Sequence, residues 1–178
     1  SSAIREVLSS QDYKSPAELL AWLNRYIKLS LHQDSDLSPS DDGLDASICY
    51  LNKSERFIEF AGARQSLIYF ESSAASSIKG DRHSIGYKNS DIEFKFTNHK
   101  IVINEPITFY LYTDGITDQL GGEKRIAFGR KRFKALLERA VQQPITEQKE
   151  YIMSSVSLYR GENEVQDDVT LLGIRWPE

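Results

Sequence analysis

The stretch ITFYLYTDGITD, residues 107–118, decides how the rest of the chain is read. Ile107 to Tyr112 is an apolar run rich in β-branched and aromatic residues, which reads as a strand, and it stops abruptly at Thr113-Asp114-Gly115. A buried strand does not hold an ionised carboxylate cheaply, so an Asp at its end, where backbone meets solvent, calls for a cation or a hydrogen-bond donor. Asp114 is therefore the first candidate for chemistry. Taken alone, Asp-Gly is a turn pair that Asp118 would help to solvate. A second stretch, QDDVTLLGIR (166–175), changes that balance, because Asp167 and Asp168 immediately precede another apolar strand pattern. If the two strands are antiparallel neighbours, Asp114 at the end of one lies beside Asp167 at the start of the other. Hard oxygen ligands converging in this way suit Mg²⁺ or Mn²⁺.

Composition sets the frame for this pair. A chain of 178 residues with 40% hydrophobic and 27% charged residues is long enough to bury a core as a single domain, 1–178. No apolar run approaches the length of a membrane span, so no direct membrane contact is expected from this segment. The net charge of −4 argues against nucleic acid, whose phosphates reward clustered Lys and Arg. Such residues do gather in EKRIAFGRKRFK (123–134), which reads as a solvated helix start. The single cysteine, Cys49, excludes an internal disulfide and reads as core in a cytoplasmic protein.

Upstream of the two strands, SSAIREVLSS (1–10) reads as the end of an amphipathic helix. The next helix is announced by Ser15 as N-cap, Pro16 at the first helical position and Glu18 three residues after the cap. Leu19, Leu20, Leu23, Tyr26, Ile27 and Leu31 then form an apolar stripe, with Trp22 and Asn24 as unremarkable neighbours and His32 at a solvated end. The following loop carries Asp34, Asp36, Asp41 and Asp42 without the spacing of a calcium loop. From Leu44 to Lys100 the pattern is a β-meander. Its strands are LDASICYLN and RFIEFAG around a turn at Asn52–Ser54, then QSLIYF, then IEFKFTNH with Ile92, Phe94 and Phe96 on one face. ESSAASS and GDRHSIG read as loops between them. Beyond Asp114, Gly121, Gly122 and Gly129 mark a flexible surface loop. Two helices follow, one holding Phe133, Leu136, Leu137 and Ala140 at core spacing and one from near Thr146 to Gly161.

Four segments in this order, DGLDASICYLN, FIEFAGARQSLIYF, YLYTDGITDQLGG and QDDVTLLGIR, together resemble the metal-dependent Ser/Thr protein phosphatases (PPM class), and within them the bacterial branch typified by the sporulation stage II protein E phosphatase. The resemblance implies an α+β fold, a four-layer α-β-β-α sandwich of two antiparallel sheets flanked by helices, of which this chain lacks the first strands. It implies hydrolysis of phosphoserine or phosphothreonine by a water that two Mn²⁺ or Mg²⁺ ions activate, with no protein nucleophile. By this resemblance Asp114 and Asp167 are metal ligands, Asp168 orients water or a ligand from the neighbouring position, and Gly115 and Asp118 support the site. The implied partner is a phosphorylated regulator of the STAS (anti-sigma-factor antagonist) type, with a sensor or receiver domain upstream, in some relatives membrane-anchored. Two departures stand out. The Gly-Asp strand end whose carboxylate bridges both metals in the family has no counterpart, since Gly80-Asp81 lies in mid-chain, so at most one weakly held cation and little turnover are expected of this chain by itself. Arg64 stands in the segment that matches the family's AGHNPPLL, which has no Arg, and an Arg there suits phosphate oxygens. A catalytically dead, partner-gripping module is the competing expectation, and Asp45 faces the cleft without being expected to ligate.

Overall fold

A computed structural model describes residues 15–176 apart from Asp36, Leu37, Pro39 and Ser73; the helix end expected at 1–10 lies outside the described residues, as does Asp36 of the acidic loop. The chain divides into two compact units, one made of the residues up to Ser66 with Ile78–Asn104, the other of Leu67–Ser77 with Glu105–Glu178.

In the first unit, helix α1 (Pro16–Ser30) starts as its sequence dictates: the Ser15 hydroxyl accepts from the Glu18 N–H at 3.2 Å. Strands β1 (Ala46–Asn52) and β2 (Phe57–Ala63) form an antiparallel hairpin. The Asn52 side-chain oxygen accepts from Ser54 Oγ and the Glu55 N–H to shape its turn. β5 (His99–Val102) pairs with the other edge of β2, giving the order β1-β2-β5. Ala17 and Leu20 of α1 bury themselves with Ala61, Ala63, Ile85 and Phe96. The apolar stripe is narrower than its spacing suggests, because Tyr26 and Leu31 are exposed.

Two expectations fail here for one reason. Residues 92–97 form no ladder, although Phe96 is buried. Their polar backbone is met by side chains and turns instead: the Asp81 carboxylate accepts from the Thr97 N–H at 2.7 Å and from its hydroxyl at 2.9 Å, and the Phe94 N–H donates to Asp91 O. Asn24 is not unremarkable either. It is fully buried, its Nδ2 donating to Asp91 O at 2.8 Å and its Oδ1 accepting from the Gly86 N–H at 2.9 Å.

In the second unit, β3 (Leu67–Glu71), β4 (Ala74–Ile78), β6 (Ile107–Tyr112) and β9 (Leu171–Trp176) form a sheet in the order β4-β3-β6-β9. β6 is the centre of that sheet and Ile107–Tyr110 are all buried. Where ESSAASS was expected to be loop, Ala74–Ile78 is an edge strand. α2 (Gly115–Asp118) is a single turn, followed by α3 (Gly129–Ala140) and α4 (Ile145–Arg160). Phe133, Leu136, Leu137 and Ala140 of α3 meet Ile152 and Val156 of α4, with Ile68, Phe70 and Tyr110 of the sheet, in one core. Gly161 ends α4 at φ 57°. The expected loop after Asp118 is instead a short ribbon, β7 (Leu120–Gly121) with β8 (Ile126–Ala127). It is pinned to α4 because the Gly122 N–H donates to Tyr159 O at 2.9 Å and Tyr159 Oη donates to Ile126 O at 3.0 Å. Mixed helices and antiparallel sheets are thus the architecture expected from the sequence.

Candidate metal centre

The register of β6 with β9 builds the site. The two strands pair antiparallel from Ile107↔Trp176 to Tyr112↔Leu171, and their ladder continues one step further through Thr113. Its N–H donates to Thr170 O at 3.0 Å, its hydroxyl donates to Asp168 O at 3.0 Å, and the same hydroxyl accepts from the Thr170 N–H at 2.8 Å. Three hydrogen bonds from one residue therefore lock the segment carrying Asp167 and Asp168 to the segment carrying Asp114. β9 itself begins only at Leu171, so the acidic pair stands on an irregular approach rather than on the first residues of the strand.

Gly115 shows how close the two segments come. A Cβ at this position would stand 2.5 Å from Asp168 O and 3.1 Å from Asp167 O, nearer than side-chain carbons are tolerated. Only a glycine lets the start of α2 pass across the Asp167–Asp168 backbone. Asp114 occupies the cap position of that turn, yet its side chain makes no capping hydrogen bond; its carbonyl accepts from the Asp118 N–H at 2.8 Å and from Thr117 Oγ1 at 3.1 Å. One oxygen of Asp167 accepts from the Asp168 N–H at 2.7 Å, which orients the carboxylate. Asp114, Asp118, Asp167 and Asp168 are all exposed.

Asp114, Gly115, Asp118, Asp167 and Asp168 thus fall at one end of one sheet. Asp168 takes part through its main chain, and Asp118 closes the single turn. Thr113 is the residue that sequence reasoning passed over; the signal was present in the motif itself, a hydroxyl one residue before the Asp at a strand end. Asp45 and Arg64 belong to the first unit, where both line a polar hollow.

The donor set fits a hard divalent cation: two outward carboxylates with no ion-pair partner among the described residues, on backbone held by hydrogen bonds. Among the described residues no group of three or more His, Cys, Asp or Glu side chains is gathered to hold a metal. Beside the site, burial raises the Tyr112 hydroxyl's pKa and the Arg130 guanidinium partly offsets it. Burial likewise pushes the Cys49 thiol up to about 12, which keeps it protonated and a poor nucleophile.

Strands, helices and metal-suited tip together are the architecture of PP2C-type phosphatase domains. The SiaA-PP2C domain of Pseudomonas aeruginosa superposes with a TM-score of 0.85 at 30% identity, over 99% of this chain and 67% of that one. The PP2C phosphatase domain of SpoIIE from Bacillus subtilis, with a fragment of its regulatory domain, gives 0.67 at 15% identity over 96% of this chain and 46% of that one. RsbX in complex with magnesium gives 0.60 at 16% identity over 97% of this chain and 70% of that one. A comparison with curated protein sequences finds no match. The family model for stage II sporulation protein E (SpoIIE) matches residues 1–177, and the chain belongs to that family. No helix among the described residues is long and apolar enough to cross a membrane.

Proposed function

We propose that this chain is the part of a metal-dependent protein serine/threonine phosphatase that supplies Asp114 and Asp167 as ligands of a Mg²⁺ or Mn²⁺ ion. The observation that carries the reading is the lock at Thr113, which joins the segment just after β6, carrying Asp114, to the segment just before β9, carrying Asp167. When bound, such an ion supplies Lewis acidity that lowers the pKa of water and neutralises charge on phosphoryl oxygens. The chain's own contribution is placement. Asp114 projects from the first turn of α2, Asp167 is oriented by the Asp168 N–H, and Gly115 keeps both segments in contact.

The magnesium named with RsbX and the phosphatase domains named for SiaA and SpoIIE support the same chemistry here. The partner we infer is a phosphoserine or phosphothreonine regulator of the STAS type in bacterial signalling, met in the cytoplasm and governed by a sensor or receiver domain in the parent chain. The test is Mn²⁺-dependent hydrolysis of p-nitrophenyl phosphate by the intact protein that carries this chain, with Asp114→Asn as control. Turnover lost in the variant upholds the reading. A folded protein that is inert with Mn²⁺ and with Mg²⁺ would leave a phosphatase-like module that only grips its partner.

A further inference from the structure

A second polar place lies wholly in the first unit. It is a hollow of about 470 Å³ whose walls include Asp41, Asp45, Arg64, Arg82 and His83. Neither arginine has an ion-pair partner among the described residues, where the single ion pair joins Arg25 and Glu93. Asp81 accepts from the N–H and hydroxyl of Thr97, and Asp41 accepts from the Lys88 N–H at 2.8 Å. Asp41 and Asp45 both bring a negative charge to the wall, and neither forms an ion pair with Arg64 or Arg82 among the described residues.

Two further features mark the hollow as built for a ligand. Arg64 holds φ at +58°, a left-handed conformation that a long side chain adopts at a cost. Backbone bonds on both sides enforce it: the Arg64 N–H donates to Asp81 O at 2.8 Å and the Asp81 N–H donates to Gly62 O at 2.8 Å. His83 stacks on Phe94 with ring centroids 4.0 Å apart, and its Nε2 is buried without a hydrogen-bond partner among the described residues. This buried nitrogen has room for a water or a ligand atom as its partner, and Arg64 and Arg82 are both exposed to solvent. The backbone of residues 86–90, which includes three lining residues, is tied down from behind by buried side chains. Lys28 Nζ donates to Lys88 O at 2.7 Å and Ser90 O at 2.5 Å, and Gln33 Nε2 donates to Asp42 O and Gly86 O, each at 2.6 Å.

We propose that Arg64 and Arg82, with His83, form a docking site for the dianionic phosphoryl group of a phosphorylated protein. Planar guanidinium forks match phosphoryl oxygens. The choice of a phosphoprotein over other oxyanions rests on the phosphatase reading, whereas the site itself does not. It is tested by NMR titration of this chain in EDTA with N-acetyl-phosphoserine amide, N-acetyl-serine amide and inorganic phosphate. With metal removed, a chain that hydrolyses nothing still reports on the hollow. The phosphoserine compound should bind and its unphosphorylated twin should not. Arg82→Ala and Arg64→Gly should each weaken binding about tenfold; the glycine relieves the left-handed backbone, so the fold is kept while the charge is lost. Asp45→Asn should tighten binding by roughly twofold or more by removing like charge. Affinity unchanged in both arginine variants overturns the proposal. Inorganic phosphate binding as tightly as the phosphoserine compound assigns the hollow to the free ion and overturns it equally.

Discussion

The tip of β6 and β9 and the hollow around Arg64 are both polar places, and they are built by opposite means. At the tip the main chain does the positioning. Ladder hydrogen bonds, the Thr113 hydroxyl and a missing Cβ at Gly115 bring exposed carboxylates into place. Around the hollow, buried side chains do it: Asn24, Lys28 and Gln33 reach from α1 and its end to tie down the backbone of residues 86–91. A site held by main chain tolerates changes in its charged tips, whereas one held by buried polar groups loses fold when a support goes. The two should therefore respond differently to substitution.

The largest effect is expected at the tip. Asp114→Asn or Asp167→Asn should lower metal-dependent hydrolysis by the intact protein about a hundredfold or more while leaving the thermal midpoint within a degree or two; a large fall in the midpoint would break the contrast. Gly115→Ala and Thr113→Val should follow, each with a loss on the order of tenfold to a hundredfold. Thr113→Ser should restore activity, because the hydroxyl is what joins the strands, and activity that follows bulk rather than the hydroxyl would assign Thr113 to packing.

For the buried supports around the hollow the readout is stability. Lys28→Met strips a buried ammonium from two carbonyls and should cost about 1–3 kcal/mol in urea unfolding, with Mn²⁺ affinity unchanged. Tyr110→Phe sharpens the comparison from the second unit, since the buried Tyr110 hydroxyl donates to Gln148 Oε1 at 2.6 Å; a loss of about 1 kcal/mol is expected. The smallest effect concerns pH. Cys49 is raised from 9.0 to about 12 by burial, so between these values the unfolded chain releases a proton that the native one keeps. Stability from this group is complete below pH 9 and declines as pH rises towards 12. Cys49→Ala should flatten that part of the decline, measured as the urea midpoint at pH 8 against pH 10.

What could be read from the sequence follows the same division. β6 and β9 announce themselves because continuous apolar runs admit one register with their charged ends outside. Ser15, Pro16 and Glu18 announce α1 because the cap is a local interaction. The rest depends on partners remote in sequence. Ala74–Ile78 is made of small residues with weak strand preference and becomes a strand by lying against β3. Ile92–Thr97 alternates as a strand should, yet Asp81, sixteen residues before Thr97, takes its hydrogen bonds. Asn24 sits among helical neighbours, and its role exists only once residues 86–91 are folded beneath it. The β7–β8 ribbon likewise waits for Tyr159 of α4.

The path of the chain between its two units has a practical consequence. Residues 67–77 leave the first unit, contribute β3 and β4 to the second, and return before the chain departs finally at Glu105. No single cut separates the units, since any break between Leu67 and Asn104 takes strands from both. Limited proteolysis should therefore yield nicked but undivided protein, and neither half should be expressible as an independent module; gene fusion or swapping in this family must carry the two as one piece.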